Sequence, residues 1–367
     1  MSANGDARRP YREEWALGVT RMTRPRQRWA DRSVVGLLLL VLVLLANCGA
    51  PGSSLTQGTS LPILHRLDWG FPYVGNAVWS PDGHWIAVLA GANAAENHLE
   101  VVSPDGQTRY DLSRWQCGGF LDVTFAWLPD GRLSCLTKDE RLVIGAVPFK
   151  TFQMVSVTRP ILPQAGGTWT LDGTYLIFIS IADPFVTSTF KIVMPARIYA
   201  VSSNGQVIAL QTSSDIYADS AEPNWLQVNS SGSELAVVEE RTPPTPKDSP
   251  TVLITISISE MHGQLSLGQP KEVATGIDYQ FSWSPSGHWL AVRHIDYRGG
   301  DKIYLVNPAQ PSQTVDVVLA DQIGQQMMSP IWSPDGKTLI VFSVAYGVSE
   351  PYAIDVASYL HSKGLQP

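Results

Sequence analysis

The chain has 367 residues, 44% of them hydrophobic, enough to bury a substantial core, and its formal net charge is −7. The charge is divided: the first 33 residues hold eight of the 26 basic side chains and four of the 33 acidic ones, leaving an acidic remainder. An acidic body repels phosphate backbones, which argues against nucleic acid as a partner.

The first predicted element is a targeting segment. An uncharged apolar run, Val34 to Ala46, comes directly after the Arg-rich stretch. At about 1.5 Å per helical residue it is short for a bilayer span and right for the core of a signal peptide. Positive charge before the run keeps that end in the cytoplasm, so the C-terminal remainder of the chain is exported. The run closes in Leu45-Ala46-Asn47-Cys48, and a Gly/Ser/Thr-rich tether extends to Ser60. These four residues resemble the lipobox of bacterial lipoproteins, with Asn47 where that family has Gly, Ala or Ser. The resemblance implies cleavage before Cys48 and a diacylglycerol on its sulfur. An uncleaved anchor over residues 33–50 is the alternative. Both readings predict a signal or anchor segment at 1–47, a flexible tether at 48–60 and an extracytoplasmic, membrane-attached body at 61–367.

The body repeats a short phrase. It reads Trp79-Ser80-Pro81-Asp82-Gly83, then Trp127-Leu128-Pro129-Asp130-Gly131, then Trp169-Thr170-Leu171-Asp172-Gly173. A degenerate copy, Val228-Asn229-Ser230-Ser231-Gly232, precedes Trp283-Ser284-Pro285-Ser286-Gly287 and Trp332-Ser333-Pro334-Asp335-Gly336. Successive glycines lie 48, 42, 59, 55 and 49 residues apart, the size of a four-stranded blade. Pro presets φ at the second turn position, Asp tolerates the third, and Gly supplies the positive φ that ends the turn. Alternating apolar residues on both sides make each phrase a hairpin, and the Trp suits packing between neighbouring sheets.

A second strand–turn–strand succeeds each of the first five hairpins, at 98–112, 141–157, 196–210, 251–267 and 302–318. The sixth has a single further strand, predicted over 351–360, and an orphan extended segment lies at 61–69. The predicted fold is therefore all-β: a six-bladed β-propeller of four-stranded antiparallel blades, preceded by a signal or anchor helix. Its N-terminal strand pairs as the outermost strand of the last blade and closes the ring. The repeats resemble the WD40-like repeats of the TolB type over roughly residues 61–360, which implies a partner-binding propeller.

Chemistry is sparse. The propellers of prolyl oligopeptidase relatives carry similar repeats beside a hydrolase domain, but this chain has no G-x-S-x-G nucleophile elbow. The seven His show no H-x-x-x-H or H-E-x-x-H spacing. His84 and His288 share a slot at the turn exit, where a polar residue suffices. Asp215, Asp219 and Glu222 lack the calcium-loop pattern and read as a solvated acidic loop. No catalytic residue, metal or cofactor is expected. An enzyme acting on sugars or peptides at the channel would need groups such as Asp296, Glu222, Glu350 and Arg298 to converge there.

A partner, protein or glycan, is expected on the face opposite the short turns, where long insertions lie at 181–195, 239–250, 293–301 and 345–351, with the inter-blade link 213–225. Tyr217, Phe185, Tyr297, Arg298 and Tyr346 are the candidate contacts there. Cys117 and Cys135 could pair in an oxidising compartment. They are not opposite one another unless the loop at 115–119 folds back, so free thiols are the expectation.

Overall fold

The computed structural model describes residues 61–367 apart from segments at 94–95, 118–123, 138, 140, 159–162, 182–184, 187–191, 211–215, 220–225, 241–250, 262–263, 295–301, 320–321, 323–325 and 346–347. The targeting segment 1–47, Cys48 and the tether 48–60 lie outside the described residues. Among those residues no helix is long and apolar enough to cross a membrane.

Six antiparallel sheets form six blades in chain order. Blade one runs Tyr73–Trp79, Ile86–Gly91, Asn97–Val102 and Arg109–Asp111, each strand paired with the next. Blades two, four and five repeat this plan. The apolar residues of each blade point alternately to its two neighbours. In blade one, Ala87, Leu89, Leu99 and Val101 pack on Phe125 and Cys135 of blade two. Ile86, Val88, Ala90 and Val102 pack on Ile331, Ile340 and Phe342 of blade six. Each sheet thus hides both faces in its neighbours, the condition that forces the ring.

The ring closes as the sequence predicts. Leu64–Arg66 pairs antiparallel with Val348–Asp355 as the outermost strand of blade six, Leu64 opposite Ile354 and Arg66 opposite Tyr352. The Leu67 N–H donates to the Pro351 carbonyl at 2.8 Å, and Arg66 pairs with Glu350 at 2.7 Å. Trp69, buried, then wedges among blades six and one, edge-on to Phe342.

The turns obey the predicted chemistry. In blade one the Gly83 N–H donates to the Ser80 carbonyl, and Gly83 has φ of 73°. Asp82 accepts from the Ser80 hydroxyl and the His84 N–H, and the Ser80 hydroxyl accepts from the Trp85 N–H. Ser333 and Asp335 repeat this arrangement in blade six, and Thr170 and Asp172 in blade three. The degenerate fourth turn survives because Asn229 accepts from the N–H groups of Ser233 and Glu234, replacing both hydroxyl and carboxylate.

Three expectations are corrected. Cys117 and Cys135 form a disulfide, not two free thiols. The loop does fold back: a 3₁₀ turn at Ser113–Trp115 ends in left-handed Gln116 (φ 56°), which swings Cys117 inward so that its carbonyl accepts from the Leu99 N–H. The strand expected over 351–360 stops at Asp355, whose side chain accepts from the Ser358 N–H and caps a helix, Val356–Ser362. That helix buries Val356, Tyr359 and Leu360 against blades five and six. Blade three has six strands, because Phe185–Val186 and Ile216–Asp219 also pair with its long third strand, Ile192–Ser202. Part of the expected inter-blade link is therefore sheet.

Candidate functional site

The inner strand of every blade borders the central channel, and on the turn face the channel opens into a cavity of about 500 Å³. Its rim comes from one position of the repeat, two residues after the Trp: Pro81, Pro129, Leu171, Ser230, Pro285 and Pro334. Apart from Pro81, these residues lie against the glycine of the next blade's turn. A methyl on Gly83 would lie 3.9 Å from Pro334 Cδ, and one on Gly173 would lie 3.6 Å from Pro129 Cδ. Glycine at these turns serves the left-handed backbone, and only at Gly232, where a methyl would lie 3.0 Å from Leu171, does the neighbouring rim residue approach closely as well.

The wall comes from the Trp and the residue before it. The indole N–H groups of Trp79 and Trp332 are buried without a hydrogen-bond partner among the described residues, but three others reach backward around the ring: Trp127 donates to the Val78 carbonyl at 3.2 Å and Trp283 to the Gln227 carbonyl at 3.1 Å. Trp169 donates to the Ser134 hydroxyl, which donates in turn to the Ala126 carbonyl. Polar side chains reach forward. Thr168, Gln227 and Ser282 accept from the backbone N–H groups of Val228, Trp283 and Trp332 in the succeeding blades. Six of the cavity's polar side chains thus join blades, Asn229 and Ser284 are held in their own turns, and the groups facing the opening are mostly Trp, Pro, Leu171, Phe281 and Ile331. Among the described residues its lining includes no Asp, Glu, His, Lys or Arg.

Deeper in the channel the inner strands of blades one, three, five and six each carry a register shift, a device that re-aims side chains. Gln280 of blade five donates to Asn76 of blade one at 2.7 Å, a bond that crosses the channel. Beside it Arg293 and Asp278 form a buried ion pair. Such a pair, desolvated and mutually neutralised, is a structural tie.

Of the candidate contacts on the opposite face, Tyr297, Arg298 and Tyr346 lie outside the described residues. Tyr217 falls in the extra strand of blade three opposite Pro195, and Phe185 in its added hairpin opposite Val193. Glu350 is engaged by Arg66 on the outer rim of blade six, away from the inner strands, while Asp296, Glu222 and Asp215 lie outside the described residues. His84 sits against Asp82 at the exposed turn exit, the polar role expected of it. The repeat residues Trp79, Asp82, Gly83, Trp127, Asp130, Gly131, Trp169, Asp172, Gly173, Trp283, Gly287, Trp332, Asp335 and Gly336 all fall in the turns and inner strands that build the cavity mouth. Sequence reasoning read them as scaffold and missed that the rim position beside them forms a continuous ring. The signal was present: the residue two after the Trp is Pro in four repeats.

No protein-family model matches the chain, and no curated protein matches it in sequence. Solved structures do. Gluconolactonase XC5397 of Xanthomonas campestris aligns with a TM-score of 0.52 at 13% identity, over 79% of this chain and 89% of that one. TolB from Acinetobacter baumannii aligns with a TM-score of 0.48 at 12% identity, over 76% of this chain. A putative TolB from Agrobacterium tumefaciens gives 0.48 at 15%, over 77% of this chain and 90% of its own length. This chain spans 63% of the Acinetobacter protein. At these identities the likeness is one of fold, and the chain is a six-bladed β-propeller.

Proposed function

We propose that this protein is a membrane-tethered, extracytoplasmic propeller that binds a partner, protein or glycan, without catalysing a reaction. The observation that carries the reading is the composition of the turn-face mouth: a ring of Pro, Leu and Trp, broken by Ser230, whose described lining residues include no titratable side chain. Acid–base catalysis and metal-assisted hydrolysis both need such groups in contact with substrate. An apolar concavity rimmed by a few polar groups suits insertion of an apolar side chain from a protein partner. The Cys117–Cys135 bond supports an oxidising compartment, as the Arg-rich leader and the Cys48 lipobox do.

The test is affinity capture with the full chain in detergent, comparing the parent with Leu171→Asp. Leu171 is half-exposed at the rim. A stoichiometric partner recovered by the parent and lost from the variant, at unchanged thermal stability, supports the reading. Turnover of a sugar or peptide by the purified chain overturns it. Retention of Cys48→Ala in the membrane at the parent's mass would refute lipidation.

A further inference from the structure

The outer hairpin of blade one brings together three metal-ligating side chains. His98 and Glu100 lie two residues apart on the third strand and so project to one side of it. Asp111, on the fourth strand, is the register partner of Glu100. His98 Nε2 lies 2.9 Å from Glu100 Oε1 and 3.5 Å from Asp111 Oδ1, and one donor atom from each residue falls within 4.8 Å of the other two.

Three features make this more than a surface ion pair. Among the described residues no Lys or Arg bridges the two carboxylates, so a single imidazole faces both. The nearby Arg109 acts on Glu100 through its charge without pairing with it: its guanidinium donates to the Trp69 carbonyl and stacks over Phe71. Second, Glu100 is held in a largely buried position, its side chain 12% exposed, with His98 Nε2 at hydrogen-bond distance. Third, Asp111 is fixed in place, because Oδ1 accepts from the Ser113 N–H at 2.7 Å and starts the turn that leads to Cys117.

We propose that His98, Glu100 and Asp111 form a binding site for a first-row divalent cation, Zn²⁺ by preference. Zinc takes imidazole nitrogen and carboxylate oxygen at about 2.0–2.2 Å, which sets neighbouring donors roughly 3–3.5 Å apart, close to the two distances from His98, 2.9 and 3.5 Å. One imidazole with two carboxylates suits Zn²⁺ better than Ca²⁺, which takes six to eight oxygens and no imidazole. The exposed side of Asp111 leaves a fourth position to water. Bound there, the ion ties the third and fourth strands together at the root of the disulfide-bonded loop.

Full-length protein, stripped with chelator, is titrated with Zn²⁺ by calorimetry, with Ca²⁺ as the comparison. A single saturable Zn²⁺ site, weakened more than about tenfold by both His98→Ala and the milder Asp111→Asn, is the expected result. Co²⁺ then gives visible d–d absorption in the parent that is lost in His98→Ala. Thermal unfolding of both variants without metal checks that the blade is intact. Absence of saturable Zn²⁺ binding, equal binding by well-folded His98→Ala, or tighter binding of Ca²⁺ overturns the proposal.

Discussion

Replacing both Cys117 and Cys135 by alanine removes a covalent link between blade one's exit loop and the second strand of blade two. The two residues are 18 apart in sequence. In the chain-entropy account a closed loop of that size restricts the unfolded state by about 3 kcal/mol. Unfolding entropy near 2.1 cal/mol/K per residue, over the roughly 300 residues of the body, gives about 0.6 kcal/mol per degree, so the loss corresponds to a fall in Tm of about 5 °C. Both sulfurs are buried among Leu99, Trp115, Phe125 and Phe149, so the variant also loses some packing and 5 °C is a lower bound. The assay is calorimetry of parent and variant, with alkylation of the unreduced, denatured parent read by mass spectrometry. Blocked Cys117 and Cys135 with the expected fall support the fold-back of the loop. If both cysteines alkylate freely, or the variant melts with the parent, the reasoning is refuted.

Trp69→Ala empties the wedge among blades six and one and should cost about 3–5 kcal/mol, read by denaturant unfolding; a loss below about 1 kcal/mol would contradict its place in the closure. Gly131→Ala and Gly232→Ala both place a methyl at positive φ, about 1–2 kcal/mol by backbone alone. Only the second also meets Leu171, at 3.0 Å, so it should be the more damaging, and equal losses would refute the rim packing. The Asp335 carboxyl is held below its usual range by the Ser333 hydroxyl and the Lys337 N–H, and that of Asp105 by the Ser103 hydroxyl and the Gln107 N–H. For Asp82 and Asp172 partial burial pulls upward, and hydrogen bonds together outweigh it. Lowered folded-state values mean stability that is present above the unfolded value near 4 and lost as pH falls through the folded ones. The parent should therefore lose stability more steeply below pH 4 than a variant with these four aspartates changed to Asn; parallel acid profiles would rule that out.

The ring itself was legible because its determinants are local and repeated. A Trp, a Pro, an Asp and a Gly in fixed order specify a hairpin, and six hairpins at even spacing admit few arrangements other than a circle. The closing strand was legible by elimination, since one sheet lacked a strand and one extended segment lacked a sheet. The features that escaped depend on contacts across the register. His98 and Glu100 join Asp111 only through strand pairing, which helix-based metal spacings do not capture. The disulfide turned on one residue, Gln116, adopting a left-handed backbone that its side chain does not advertise. The terminal helix was hidden because Tyr-Ala-Ile-Asp-Val-Ala alternates like a strand until Asp355 caps it. The channel-crossing Gln280–Asn76 bond joins residues 204 apart in sequence and leaves no local trace.

The closing strand also sets how the molecule bears load. The chain enters the ring at its periphery, so tension arriving through residue 61 runs first along Leu64–Arg66. Three residue pairs, the Leu67–Pro351 bond and the Arg66–Glu350 contact resist it in shear, with Trp69 next in series. Blade six is thereby the mechanical fuse: if it gives way, the circle opens beside blade one while the other five sheets keep their own pairing.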